Sequence, residues 1–183
     1  MKYWLWIIPA NWAEDADLWD FCLRHRIAAM NYVEGAQSRA RSTRQRASEI
    51  ALGDKVVGYL NDSRIGGVGT VTREFYDEQV ADYVNTAGHP RSQRIGVDWL
   101  VPRNGKPLDL HAVPAAYKNL KGKLRGRTIV EIGQDTFDAI ALAIRGEMDS
   151  RLAALADLIE NTKLSDENIR DGKLWEQQIK PIT

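Results

Sequence analysis

The fold is decided by a glycine-rich pair of strands in the first half of the chain. Residues 50–60 read I-A-L-G-D-K-V-V-G-Y-L, and residues 64–76 read R-I-G-G-V-G-T-V-T-R-E-F-Y. Gly53-Asp54 predicts a turn, and the β-branched runs after it predict a strand over 55–60 that pairs with a strand over 65–74. Three glycines within the second run are typical of close backbone approach or of a sharp bend. We therefore expect a strongly bent sheet or a small β-barrel at the core.

Shorter strands and helices surround that pair. Residues 2–9, K-Y-W-L-W-I-I-P, predict a central strand that is apolar on both faces and ends at Pro9. A helix capped by Asp15 or Asp17 and ending at His25 follows, and then a short strand from Ile27 to Asn31. Later patterns predict a loop and helix over 36–52 and strands over 94–101 and 127–132. Between those two strands, Asn104-Gly105 predicts a hairpin turn with a returning edge strand over 107–112, and a helical turn begins at Pro114. Two further helices are predicted over 135–144 and 148–159.

Strands that outnumber helices in this order indicate an α+β fold with flanking helices. We expect residues 1–145 to form one domain and residues 146–183 to form a helical C-terminal extension or linker. The apolar fraction of 44% and the charged fraction of 27% are ordinary for a globular protein. The single cysteine, Cys22, excludes an internal disulfide and a thiolate zinc site, and the three histidines do not share ligand spacing. No metal or cofactor is therefore expected.

Membrane and export signals are absent from the sequence pattern. No apolar run approaches the roughly 18 residues that a membrane span requires. Met1-Lys2 leads directly into a tryptophan-rich strand rather than into a secretory leader. We therefore expect a cytoplasmic protein without a membrane partner.

Two basic segments are candidates for contact with a nucleic-acid backbone. Four arginines, Arg39, Arg41, Arg44 and Arg46, have no acidic residue between them. A second acid-free run later in the chain contains Lys121, Lys123 and Arg125. Clustered cations of this kind bind phosphates, although a solvated helix face is the alternative for the first cluster.

Four passages together resemble an EVE-type domain of the PUA-like superfamily, which includes the YTH and ASCH domains. They are K-Y-W-L-W-I-I-P-A-N-W, R-I-A-A-M-N-Y, the paired strands quoted above, and R-I-G-V-D-W-L with T-I-V-E-I and a closing helix. The resemblance covers roughly residues 2–145. It implies a PUA-like curved sheet with a pocket between the first two strands. Family members bind modified bases flipped out of nucleic acid, and several are the N-terminal modules of modification-dependent restriction proteins.

The resemblance implies a base-binding pocket near the ends of those strands. Trp12 and Tyr32 are the stacking candidates, Asn11 and Asn31 can bond a base edge, and Trp6 is a candidate for the pocket floor. Their alternatives are a lid for Trp12, turn capping for the two asparagines and a core position for Trp6. Tyr32 stands where a tryptophan is common in such domains, which changes the shape of the cage.

The function expected from this resemblance is a non-catalytic reader of modified cytosine in DNA, 5-methyl- or 5-hydroxymethylcytosine. Any catalysis would then belong to a nuclease or an AAA+ effector, either fused or a partner. A reader of modified RNA is the second interpretation. A third is a small amidohydrolase acting on a modified nucleoside, because some ASCH-type relatives use Lys, Thr and Glu, and Lys2, Thr70 and Glu74 are present here. The sequence leaves open the modification, the nucleic acid and the oligomeric state.

Overall fold

The computed structural model describes residues 1–9, 15–30, 37–78, 82–124 and 127–146, with the backbone alone for residues 37–42. The chain divides into two units, Met1–Gly146 and Glu147–Thr183, and the described residues all belong to the first. The helix predicted over 148–159 lies outside the described residues. The predicted domain boundary after residue 145 stays a prediction.

The described part of the chain forms an α+β fold around one mixed sheet. Its strands follow the order β2-β5-β4-β3-β1-β7, and β6 pairs separately with β4. β1 is parallel to β3 and antiparallel to β7, and the other pairs are antiparallel. The strands are β1 Tyr3–Ile7, β2 Ile27–Met30, β3 Lys55–Tyr59, β4 Arg64–Asp77, β5 Gln93–Leu100, β6 Leu108–Asp109 and β7 Ile129–Glu131, and the helices are α1 Leu18–His25, α2 Gln37–Ser48, α3 Pro114–Leu120 and α4 over 134–146.

The sheet is strongly curved, as the sequence predicts. β2 forms one edge and β1 lies next to the other edge, yet both strands contribute side chains to one buried cluster. The bend occurs in the long strand β4, whose pairing with β5 shifts register on both sides of Arg73. Gly96 faces this bend, and a Cβ there would lie 2.7 Å from the Arg73 Cβ. Glycine at 96 therefore allows the two backbones to approach where the sheet turns.

The glycine-rich hairpin predicted from the sequence is present, and Trp19 explains part of its composition. β3 and β4 are joined through Asn61-Asp62-Ser63, each in the left-handed region. The Trp19 ring from α1 lies against the hairpin so closely that a Cβ on Gly66 would be 2.6 Å from it. Trp19 also contacts Trp99 of β5, edge to face, with ring centroids 5.1 Å apart. The glycine thus makes room for an aromatic side chain on the sheet.

The opposite face of the sheet packs against α3 and α4. α4 confirms the helix predicted over 135–144, and its apolar side chains at helical spacing, Phe137, Ile140, Ala141 and Ile144, are all buried. They pack with Leu5 of β1 and with neighbouring side chains in a second cluster. None of the helices within the described ranges is long and apolar enough to cross a membrane.

Two local predictions are wrong. Asn104-Gly105 does form a turn, with Gly105 at φ +67° and the Asn104 carbonyl oxygen Oδ1 accepting from Lys106 N–H at 2.9 Å. The segment after it, however, is a two-residue strand that pairs with the start of β4 and leads into a 3-10 turn at Leu110–Ala112. Asp17 occupies the N-cap position of α1 but makes no capping bond, because its carboxylate accepts from the Tyr83 hydroxyl at 2.7 Å.

Candidate functional site

The predicted pocket residues divide into one described side chain and four others. Asn11, Trp12, Asn31 and Tyr32 lie outside the described residues, and they continue directly from the ends of β1 and β2. Trp6 is the described member, and its position in the pocket stays a prediction. The contacts around these strand ends show how the chain next to the site is held.

Trp6 is fully buried in the cluster that β1 and β2 share. It pairs in register with Gly58 of β3, and a Cβ on Gly58 would lie 3.1 Å from the Trp19 ring. Gly58 therefore leaves room for the Trp19 ring at the strand position that pairs with Trp6. Among the residues that the structure describes, Trp6 Nε1 is the buried side-chain nitrogen or oxygen that has no hydrogen-bond partner.

Trp4, two residues earlier on the same face of β1, has the opposite arrangement. Its Nε1 donates to Asp54 Oδ2 at 2.9 Å. The buried Asp54 carboxylate also accepts from the backbone N–H of Lys2 at 2.7 Å and of Ala51 at 3.1 Å. Burial alone would raise the pKa of Asp54, but the three hydrogen bonds outweigh it and hold the pKa below its usual value. The predicted Gly-Asp turn thus fixes the start of β1 to the start of β3.

A polar network that sequence reasoning missed holds α1 against the connection between β4 and β5. The fully buried Asp15 carboxylate accepts from Arg91 Nε at 3.0 Å and forms an ion pair with that guanidinium. Arg94 donates through Nη1 to Asp82 at 3.0 Å. These bonds fix the part of the chain that directly follows residues 10–14, where Asn11 and Trp12 stand.

The pKa values in this network follow from its bonds. The Arg94 hydrogen bond, partly opposed by burial, lowers the pKa of Asp82. Burial and the bond to Asp17 raise the pKa of Tyr83. Burial raises the pKa of the Cys22 thiol to about 12. Cys22 is therefore an unreactive core residue, because the thiolate is the reactive form.

The two described arginines of the first basic cluster have partners within the chain. Arg44 forms an ion pair with Asp77 at 2.5 Å, and its guanidinium lies 5.5 Å from the centre of the Phe75 ring. Arg46 Nη1 donates to the Ile129 carbonyl at 3.0 Å and so ties α2 to β7. Arg44 is exposed, so its guanidinium can bind a phosphate in place of Asp77. Arg46 also stabilises the fold, because it joins α2 to β7.

The remaining predicted phosphate contacts are less constrained. Lys121 and Lys123 are exposed in the turn after α3. The side chains of Arg39 and Arg41, and Arg125 as a whole, lie outside the described residues. All of these contacts stay predictions.

The residues named for the hydrolase interpretation have other partners. Lys2 Nζ lies 4.0 Å from Glu131, and the lysine that donates to Thr70 Oγ1 is Lys55, at 2.9 Å. Glu74 is exposed on β4. Within the described ranges, no group of three His, Cys, Asp or Glu side chains could hold a metal ion.

Comparison with solved structures identifies the class of fold. The YTH domain of MmI1 aligns with a TM-score of 0.53 and 10% identity, over 82% of this chain and 99% of that one. A hypothetical protein from Leishmania major aligns with a TM-score of 0.50 and 16% identity, over 82% and 97% of the two chains. Human THYN1 in complex with DNA containing 5-methylcytosine aligns at only 0.45, with 13% identity, over 79% and 98%. The fold is therefore PUA-like.

Sequence comparisons add nothing to this assignment. Neither the scan against protein-family models nor the search of curated proteins gave a match.

Proposed function

We propose that this protein is a non-catalytic reader of a modified base in nucleic acid, with 5-methyl- or 5-hydroxymethylcytosine in DNA as the leading ligand. The base would be flipped out of the helix into an aromatic pocket between β1 and β2. The proposal combines the PUA-like fold with the EVE-type resemblance of the sequence, because a fold alone does not define a function.

The observation that carries the proposal is that β1 and β2 share one buried cluster. Asn31 and Tyr32 follow β2 directly, and Asn11 and Trp12 follow β1 after Ile8 and Pro9. A chain spans at most about 3.6 Å per residue, so both segments begin within reach of the same core. Two aromatic rings and two carboxamides can then line one pocket.

Such a pocket has the chemistry that base flipping requires. Extrusion of a base costs a few kcal/mol, and the pocket must offset this by stacking and by hydrogen bonds to the base edge. Stacking on one aromatic ring contributes about 1–3 kcal/mol. A methyl group in an apolar pocket contributes only about 1 kcal/mol, so stronger discrimination has to come from the hydrogen bonds of Asn11 or Asn31.

The biological setting is proposed from the resemblance alone. We infer that the reader is the specificity module of a modification-dependent restriction system, and that a nuclease or an AAA+ motor acts on the DNA that it binds. Such a protein would work in the cytoplasm. A binding-deficient variant that also abolishes restriction of modified phage DNA by cells carrying the intact system would support this setting.

The direct test is a titration of the full chain with matched duplexes at one salt concentration. The duplexes carry cytosine, 5-methylcytosine, 5-hydroxymethylcytosine or N6-methyladenine, and a modified RNA serves as a further ligand. We expect at least several-fold tighter binding of the cytosine modifications than of plain cytosine. Preference for the RNA would favour the second interpretation, and no preference at all would reject the reader.

Variants of the pocket make the titration specific. Tyr32→Ala should weaken binding of the modified duplex by about 1–3 kcal/mol without unfolding the protein. Asn31→Ala should lower the preference for the modified base more than the affinity for plain DNA. Tyr117→Ala is the matched control, because Tyr117 packs on the cluster at the opposite face of the sheet.

The basic cluster is tested through salt dependence. Replacing Arg39, Arg41 and Arg44 with Gln should weaken modified and unmodified duplexes alike. Each lost phosphate contact should reduce the slope of log K against log salt by about 0.9. An unchanged slope would mean that these residues form a solvated helix face.

Release of product from a modified free nucleoside would instead support the amidohydrolase.

A further inference from the structure

The indole nitrogens of three tryptophans in one cluster have different partners. Trp4 Nε1 donates to Asp54 at 2.9 Å, and Trp99 Nε1 donates to the Ile27 carbonyl at 2.9 Å. Trp6 Nε1, in the most buried position of the three, donates to none of the groups that the structure describes. Buried tryptophans usually find an acceptor, so the exception requires an explanation.

An unbonded buried donor is costly. It loses its hydrogen bond to water and gains none in return, so it destabilises the folded protein. A phenylalanine or leucine at position 6 would avoid this penalty while still filling a core. Trp6 therefore carries a polar atom that the packing of the free protein does not use.

The place of Trp6 in the fold connects this donor to the proposed pocket. Trp6 belongs to the same buried cluster as Ile8 and Met30. Residues 10–14 begin two positions after Ile8, and residues 31–36 begin directly after Met30. Its neighbour across the sheet is Gly58, beside the half-buried ring of Trp19. A planar group that enters between β1 and β2 would meet an indole edge rather than an aliphatic surface.

We propose that the Trp6 indole N–H is the hydrogen-bond donor that reads an acceptor atom on the edge of the bound base. This inference rests on the proposed function and specifies its chemistry. The group bound must present a carbonyl oxygen or an unprotonated ring nitrogen to Trp6. Cytosine and its 5-substituted forms offer both on one edge.

The donor also gives the pocket a rule of orientation. An indole N–H can donate but cannot accept. The exocyclic amine of cytosine, itself a donor, must therefore face away from Trp6. Trp6 thereby selects one orientation of the base as well as its acceptor edge.

The test uses two matched variants of the full chain, Trp6→Phe and Trp4→Phe. Both remove an indole from the same face of β1, but only the first removes the proposed ligand donor. Each variant and the wild type are titrated with duplexes carrying 5-methylcytosine or plain cytosine. We expect Trp6→Phe to bind the modified duplex about tenfold more weakly, as for one lost hydrogen bond. The plain duplex should be bound as before, because its cytosine stays stacked in the helix and does not reach Trp6. Trp4→Phe should keep the wild-type ratio.

A second measurement is made on the wild type and does not require Trp6→Phe to fold. The six tryptophans give six indole N–H cross-peaks in a nitrogen–proton correlation spectrum. The Trp6 peak is assigned by replacing the other five tryptophans with phenylalanine one at a time. Saturation with the modified duplex should move that peak downfield, the direction expected when the proton becomes hydrogen-bonded.

The outcomes separate the inference from the proposed function. If the wild type prefers the modified duplex but Trp6→Phe keeps that preference, or the Trp6 peak does not move, then the inference is overturned and the reader stands. If the wild type shows no preference for any modified base, the reader fails and this inference fails with it. Loss of preference in Trp6→Phe together with a shifted peak supports both.

Discussion

The two tryptophans of β1 are both buried, but the indole N–H of one has an acceptor and that of the other does not. At the start of the strand, Trp4 donates to a buried carboxylate that also binds two backbone N–H groups. Nearer its end, Trp6 is equally buried, and its donor has no partner among the residues that the structure describes. The first arrangement joins β1 to β3 and contributes to stability. The second reduces stability, because a buried donor without a partner loses its hydrogen bond to water and gains none in return.

Other buried carboxylates of the molecule are hydrogen-bonded in the same way as Asp54. The network around Asp15 and Arg91 and the Asp54 site are fully bonded, and both fix backbone on either side of the segment 10–14. Buried carboxylates with two or three donors are rigid supports, because breaking one leaves several groups unpaired. The chain on both sides of residues 10–14 is therefore well anchored.

The largest effect is expected when the bonded end is broken. Asp54→Ala leaves the Trp4 indole and the N–H groups of Lys2 and Ala51 without their acceptor. At about 1–3 kcal/mol for each unsatisfied donor, we expect a loss of about 3 kcal/mol or more in the free energy of unfolding. Urea unfolding followed by circular dichroism measures it.

Asp98→Ala is the control for that experiment. Asp98 forms an exposed ion pair with Arg26 at 2.5 Å, and its loss should cost less than about 1 kcal/mol. Equal effects of the two substitutions would show that Asp54 is no more than a surface carboxylate, and the contrast between the two ends of β1 would disappear.

The direct comparison of the two tryptophans should give the next largest effect. Trp4→Phe and Trp6→Phe lose similar apolar volume, but only Trp4→Phe removes a formed hydrogen bond to a carboxylate. We expect Trp4→Phe to be less stable than Trp6→Phe by about 1–2 kcal/mol. The same urea titration measures this difference. If Trp6→Phe is the less stable of the two variants, the Trp6 indole N–H is not the unbonded donor.

Acidification should weaken the bonded end specifically. The lowered pKa of Asp54 means that its bonds stabilise the fold above the ordinary Asp value of about 3.9, and that this contribution is lost as pH falls through the lower folded value. Asp54→Asn does not titrate there. Its stability deficit relative to wild type should therefore be constant at neutral pH and shrink at acid pH.

Urea unfolding of both proteins at several pH values gives that difference directly. Asp82 also has a lowered pKa, because Arg94 bonds it, but it is present in both proteins and cancels. If the stability deficit of Asp54→Asn grows as the pH falls, then the fold does not stabilise the charged form of the Asp54 carboxylate.

Much of the fold is predictable from the sequence because its signals are local. The Gly53-Asp54 turn, the bent hairpin and the buried face of α4 all follow from spacing within a few residues. The returning strand after Asn104-Gly105 failed for the same reason. The turn signal is local and correct, but the strand that follows pairs with Arg64 and Ile65, far back in the chain.

The support of the candidate site could not be predicted, because it depends on contacts between distant residues. Trp4 and Asp54 are 50 positions apart, and Asp15 and Arg91 are 76 apart. No single-sequence pattern links such pairs. The composition offered one usable signal, since a buried carboxylate requires donors and the early tryptophans supply them. Which tryptophan lacks an acceptor is visible only in three dimensions.

The smallest effect is expected from the exposed charge at the bonded end. Lys2 contributes its backbone N–H to Asp54, while its ammonium lies 4.0 Å from Glu131 and 5.3 Å from the Trp4 ring. Lys2 and Glu131 are about half exposed, so the solvent screens their attraction. Lys2→Ala keeps the backbone bond and should change the free energy of unfolding by less than about 0.5 kcal/mol.

Measured beside Asp54→Ala in low and high salt, this variant separates the two sources of stability at the start of β1. A small effect that fades further in high salt assigns the anchoring to the buried carboxylate and its N–H donors. An effect comparable to that of Asp54→Ala would mean that the Lys2 ammonium, through Glu131 or the face of Trp4, holds the strand instead. Trp4 would then be fixed from the surface, and its contrast with Trp6 would rest on charge rather than on a buried hydrogen bond.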